Sequence, residues 1–177
     1  MSSLCTVHRF WKATSAGAAA CVALALGMGC LPTAQAAGSV ELVFTQPERY
    51  TDAGIDAVER QRNLALLTLH VQGWSAQLPD GHRLRLVVED VDLAGEQRLN
   101  LWHPELRILR GTVDWPRMTL RWSLTTGVRE LQGGEARLSD KGYLMFSARL
   151  RQGEPLSHER RMLDDWLQRE VLPALAR

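Results

Sequence analysis

The residues best suited to chemistry in this sequence are Asp90 and Asp92, two carboxylates one residue apart in the run Glu89-Asp90-Val91-Asp92-Leu93-Ala94-Gly95. On an extended strand that spacing puts both side chains on one face, as a divalent-metal pair or a general acid and base requires. His82, His103, Glu105 and His158 are the groups available to complete such a centre, and His103, in the stretch just after the acidic run, is the first choice. This reading makes the chain a metal-dependent hydrolase using Asp90 and Asp92. The competing reading makes the pair a strand ending, its carboxylates accepting hydrogen bonds from backbone amides of a turn at Ala94-Gly95.

A calcium loop can be tested position by position. With Asp90 and Asp92 as the first and third residues of an EF-hand loop, Gly95 fits the sixth, but Ala94 stands where an oxygen ligand belongs and Leu101 where the bidentate glutamate belongs. The motif fails, and no metal site is expected from it. Gly73-Trp74-Ser75 lacks the closing glycine of a nucleophile elbow, having Gln77 instead. His158-Glu159 is followed by Met162 where a zincin places its second histidine. No glycine-rich phosphate loop is present, and no cofactor is expected.

Aromatic residues offer a different route to a ligand. Trp74, Trp122 and Trp166 fall on the apolar stripes of their own elements and read as core, which leaves Trp102 and Trp115. A ligand-binding face, if the chain has one, is therefore expected at Asp90, Asp92, Trp102, His103 and Trp115.

The start of the chain reads as an export signal. Arg9 and Lys12 precede an uncharged apolar stretch from Ala16 to Leu31, and Ala34-Gln35-Ala36 is a small-x-small cleavage pattern. Cleavage after Ala36 is expected, giving a signal peptide over 1–36 and a mature chain over 37–177 located in the periplasm or secreted. The apolar run falls short of the ~20 residues a membrane span needs, so no span is expected after cleavage. Gly29-Cys30 imitates the end of a lipobox, but Gly27 departs from it, which makes a lipoprotein anchored through Cys30 the lesser reading. Arg9 and Lys12 leave with the leader, so 21 basic side chains become 19 against 20 acidic ones, a net charge of −1. That balance argues against a nucleic-acid partner. Cys5, Cys21 and Cys30 all lie in the leader, so a hydrophobic core must hold the mature chain without disulfides.

The elements that must position these residues follow from periodicity. Val40, Leu42 and Phe44 mark a first strand. Thr51 or Asp52 caps a long helix in which Leu64, Leu67, Val71, Trp74 and Leu78 form one stripe, ending at Pro79-Asp80-Gly81. Leu84, Leu86 and Val88 alternate with arginines in a second strand that delivers the acidic run. Glu96 to Pro104 reads as a loop, Leu106 to Arg110 as a short third strand, and Met118, Leu120, Trp122 and Leu124 mark a fourth. Thr126-Gly127 turns into a fifth strand from Val128 to Leu138, with Gly133-Gly134 as a bulge or second turn. Ser139 to Leu150 fits an edge strand or a helical turn equally. Ser157 caps a last helix with Met162, Leu163, Trp166 and Leu167 inward, and Pro173 ends it.

Four blocks carry a family resemblance: Leu78-Pro79-Asp80-Gly81, Asp90 to Gly95, Asp114-Trp115-Pro116-Arg117-Met118 and Glu159 to Trp166. Together they resemble the bacterial family known as domain of unknown function 3016, over essentially the whole mature chain. The resemblance implies an exported protein of Gram-negative bacteria and supplies no catalytic residue. The expected fold is a single α+β domain: an antiparallel sheet of about four to six strands, a long N-terminal helix on one face and a C-terminal helix. With the nucleophile and metal motifs failing, the leading expectation is a non-enzymatic binding or assembly accessory, its partner another envelope protein or a small ligand.

Overall fold

A computed structural model of the chain describes residues 37–97, 107–145 and 154–176. The leader expected over 1–36 lies outside them, as do Trp102, His103 and Glu105. The described residues form a mixed α+β fold with one four-stranded sheet and two helices.

The sheet has the order β1 (Ser39–Phe44), β2 (His82–Asp92), β5 (Arg117–Thr126) and β6 (Arg129–Ser139). β2, β5 and β6 pair antiparallel, as their two-residue alternation predicts. The expected all-antiparallel sheet is corrected at its edge, because β1 runs parallel to β2 from Ser39 opposite Arg83 to Phe44 opposite Val88. The physical reason lies in the connection: the chain crosses over through a helix between these strands, which is the geometry parallel neighbours need. A second ribbon joins β3 (Glu96–Gln97) to β4 (Arg107–Ile108), so part of the expected loop is paired, and among the described residues the expected third strand ends at Ile108, before Arg110. It stops there because the Asp114 carboxylate takes the amides of Arg110 and Gly111, at 2.6 and 2.9 Å, and draws the backbone into a turn.

Helix α1 (Ala57–Gln72) covers one face of the sheet. It is shorter than expected, since its cap is Asp56, whose carboxylate accepts the Glu59 amide at 2.8 Å, and neither Thr51 nor Asp52. Its stripe is as the spacing predicts: Leu64, Leu67 and Val71, with Trp74 and Leu78 just beyond, are all buried. These pack onto Leu84, Leu86, Leu120, Trp122 and Leu124, while Arg83, Arg85, Arg121 and Glu135 stay exposed on the other face. Each fully buried Leu or Val contributes roughly 1.5–3 kcal/mol of transfer free energy, so this two-layer contact is the main source of stability.

Helix α2 (Ser157–Trp166) adds Met162, Leu163 and Trp166 to the same core. Ser157 is its first residue and not its cap; Leu156 takes that place in a left-handed conformation. The helical path also outruns Pro173, through a wide turn over Leu167–Val171 and a tight one over Leu172–Ala176. Proline is tolerated in the first turn of a helical segment, where its missing N–H has no partner to lose.

The irregularity in β6 sits at Leu131, skipped between Glu130 opposite Thr125 and Gln132 opposite Leu124, and not at Gly133-Gly134. Residues 140–145 form turns, with Tyr143 fully buried, and the rest of the ambiguous segment to Leu150 lies outside the described residues. Among the described residues no helix is long and apolar enough to cross a membrane.

Candidate functional site

Unbroken alternation along β2 would place Asp90 and Asp92 on the same face as Leu84, Leu86 and Val88, inside the core. A bulge prevents this. Val88 lies opposite Leu120 and Asp90 opposite Thr119, leaving Glu89 as the extra residue. The phase of the strand changes there, so Val91 and Leu93 turn inward at 0% and 2% exposure, while Asp90 and Asp92 come out on the open face. The displaced Glu89 pairs with Arg121 across the sheet at 2.7 Å.

Both carboxylates then meet donors from distant segments. Asp90 accepts the Thr51 amide at 2.7 Å on Oδ1 and the Thr51 hydroxyl at 2.9 Å on Oδ2. Asp92 faces Arg117 at 3.4 Å, and burial pushes its carboxyl up against the pull of that guanidinium. Asp90 thus accepts a backbone amide, as the strand-ending reading of the pair expects. Its donor is the connection before α1, however, and not the Ala94-Gly95 turn.

That connection is itself stitched to the acidic run. The Asp52 amide donates to Val91 O at 2.9 Å and the Leu93 amide to Asp52 O at 3.0 Å, a one-residue parallel bridge. Arg107 closes the arrangement from β4. Its guanidinium bonds the Asp52 carboxylate, Ala94 O at 2.8 Å and Gly95 O at 2.7 Å. Gly95 has φ 78°, and a Cβ there would fall 2.5 Å from Leu109 Cδ2 and 2.8 Å from Ile108 O, so the turn requires glycine.

Glu159 of α2 completes the node from the helix layer. It is 3% exposed, and its Oε1 accepts the Ala94 amide at 2.7 Å. Burial raises its pKa, and the Ala94 hydrogen bond and the Arg107 charge only partly oppose this. The node thus ties strand, crossover, ribbon and helix through the buried acid Glu159, the guanidinium groups of Arg107 and Arg117, and the carboxylates of Asp52, Asp90 and Asp92. Arg107, Asp52, Thr51 and Glu159 are absent from the sequence-derived set. For Glu159 a signal exists, since it precedes Met162, Leu163 and Trp166 at helical spacing and so belongs to the buried stripe.

Of the expected ligand face, the structure joins Asp92 and Trp115. Arg117 lies between them, its guanidinium carbon 4.8 Å from the Trp115 ring centre, with the Lys141 ammonium 5.5 Å from the same ring. Trp102 and His103 fall outside the described residues. His82 opens β2, ten residues before Asp92, and its Nδ1 sits 3.2 Å from Asp80 O. An extended strand of that length puts it roughly 30 Å from the pair. His158 is buried edge-on against Tyr143, with ring centres 4.9 Å apart. Burial, reinforced by the Arg161 charge, holds its pKa below the ordinary value. Among the described residues, no group of three or more His, Cys, Asp or Glu side chains is placed to hold a metal ion.

Fold and site together define a mixed α+β protein whose acidic turn is a brace between the sheet and its covering helices. Residues 38–169 match the family described as Protein of unknown function (DUF3016), and the chain belongs to that family. No curated protein matches the chain significantly.

Proposed function

We propose that this chain is an exported protein of the Gram-negative envelope whose residues 37–177 act as one non-enzymatic binding or assembly domain. The observation that carries the reading is the engagement of the acidic run by the protein's own groups: Asp90 by Thr51, Asp92 by Arg117, Asp52 by Arg107 and Glu159 by the Ala94 amide. Carboxylates held this way brace a fold. A hydrolytic pair needs them turned toward a water or a metal ion.

The surface assigned to a partner is the Trp115 side of the turn, where Arg117 and Lys141 flank the ring beside Asp92. Trp102 and His103, expected from the sequence to belong to the same face, lie outside the described residues, and Asp90 stands two residues before Asp92 on β2. A near-neutral mature chain suits a polypeptide or a small ligand better than a polyanion.

Calorimetric titration of the purified protein with calcium, zinc, magnesium and manganese tests the reading. No saturable heat is expected from any of the four. Binding that disappears in Asp90→Asn or Asp92→Asn would overturn it in favour of metal-dependent hydrolysis. Export is checked separately by fractionation and N-terminal sequencing, with Ala37 expected as the first residue of a periplasmic species.

A further inference from the structure

β6 is the last strand of the sheet, bonded to β5 on one side and to no described strand on the other. Such an edge is a template for another strand. Its sequence beyond the irregularity at Leu131 is Gln132-Gly133-Gly134-Glu135-Ala136-Arg137-Leu138-Ser139. Alternation sends Glu135 and Arg137 to the open face, while Gly134, Ala136 and Leu138 share the helix-covered face with their partners Trp122, Leu120 and Met118. Neither Glu135 nor Arg137 has an ion-pair partner among the described residues. Arg121, opposite Glu135, is held by Glu89.

We infer that this edge pairs with the β6 of a second copy of the chain, antiparallel about a two-fold axis through Ala136. A two-fold pairing sets residue i against residue j with i and j exchanged across the axis. Centring on Glu135 or on Arg137 would set each against its own copy, like charge to like charge. Centring on Ala136 sets Glu135 against the second copy's Arg137 and Arg137 against the second copy's Glu135. The same register is complementary in size on the other face. Leu138, only partly buried in one copy, comes opposite Gly134 of the other. Around Gly134 a Cβ would meet nothing within 4 Å, so there is room for that side chain. It enters on the side of a cleft of about 380 Å³ that Trp122, Met162 and Trp166 line together with Arg169, Glu170 and β6 residues from Glu135 to Ser139. The small Ala136 lets the strands approach at the axis, and the two sheets become one continuous sheet. This inference rests on the edge strand alone, independently of the binding reading above.

Sedimentation equilibrium over a dilution series of the purified chain, with Glu135→Arg, Arg137→Glu and the doubly exchanged variant, tests it. Wild type is expected to be a reversible dimer. Each single reversal sets like charges opposite one another twice and is expected to raise the dissociation constant about tenfold or more. The double exchange restores opposite charges and is expected to return most of the affinity. A general loss of folding in the single variants would not be repaired in that way. A wild type that stays monomeric at every concentration overturns the inference, and so does a dimer that the single reversals leave unchanged or the exchange fails to rescue.

Discussion

Asp90 receives two hydrogen bonds from Thr51, one from the amide at 2.7 Å and one from the hydroxyl at 2.9 Å, across 39 positions of sequence. The pair fastens the crossover between β1 and α1 to the bulged end of β2. The Asp52 bridge to Val91 and Leu93 fastens the next residue. The carboxylates that first suggest catalysis are thus the points at which one segment is held against another.

Asp90→Asn leaves an acceptor for one Thr51 donor but removes the charge and the second carboxylate oxygen. A loss of about 1–2 kcal/mol in unfolding free energy is expected, the range for charge-assisted hydrogen bonds. Denaturant titration checks this, with Thr51→Ala as the partner of a double-mutant cycle. The double variant should lose less than the sum of the singles, because both remove the same contact.

Arg107→Met should be the more damaging change. The guanidinium side chain is 14% exposed and serves the Asp52 carboxylate and the carbonyls of Ala94 and Gly95; without it the two carbonyls lose this donor, and among the described residues Asp52 keeps only the Gly54 amide at 3.1 Å. A loss of about 3 kcal/mol is expected from thermal or chemical unfolding. Arg107→Lys should recover less than half, since an ammonium cannot span acceptors fixed for a planar fork.

Glu159 gives the fold a specific pH dependence. Its folded-state pKa is raised above the ordinary 4.5 by burial. Such a carboxyl binds its proton more tightly when folded, so its contribution is fully present below about pH 4.5 and is lost as pH rises through the folded value. Measured from about pH 4.5 upward, the unfolding free energy of wild type should fall relative to that of Glu159→Gln. A constant difference between the two would contradict the assignment.

His158 acts with the opposite sign. Its folded pKa lies below the ordinary 6.5 because burial and the Arg161 charge disfavour the imidazolium. The stability it contributes is present above that value and is lost as pH falls toward the folded pKa. Melting temperatures taken between about pH 7.5 and 5.5 should therefore fall more steeply for wild type than for His158→Gln.

Much of the scaffold is legible in the sequence because two periodicities are strong. The α1 stripe and the alternation of β2 and β5 each predict a buried face, and Leu67, Val71, Leu84, Leu86, Leu120 and Leu124 are all fully buried. The direction of β1 is not legible in its six residues, since parallel and antiparallel edges share an alternating pattern and the crossover decides between them. The braced turn is harder still, because its members come from four segments that only the fold assembles. One clue to the bulge was present: inward apolar residues spaced by two at Leu84, Leu86 and Val88 are followed by a step of three to Val91. Trp102 and His103, proposed from sequence, lie beyond the described residues, whereas Trp115 stands beside Asp92 through Arg117.

Glu89 is the inserted residue that brings the two aspartates out of the core. Removing it should leave Val88 and Asp90 as consecutive partners of Leu120 and Thr119, with unbroken alternation from Leu84 to Leu93. The direct measurement is the denaturant unfolding free energy of the chain lacking Glu89, beside a chain lacking Val87. The first should unfold cooperatively within about 2 kcal/mol of wild type, losing the Arg121 pair and the local twist. The second should fail to fold, because its deletion moves Leu84 and Leu86 out of phase with Val88. Equal collapse of both chains would show that Glu89 is no insertion but a required member of the strand.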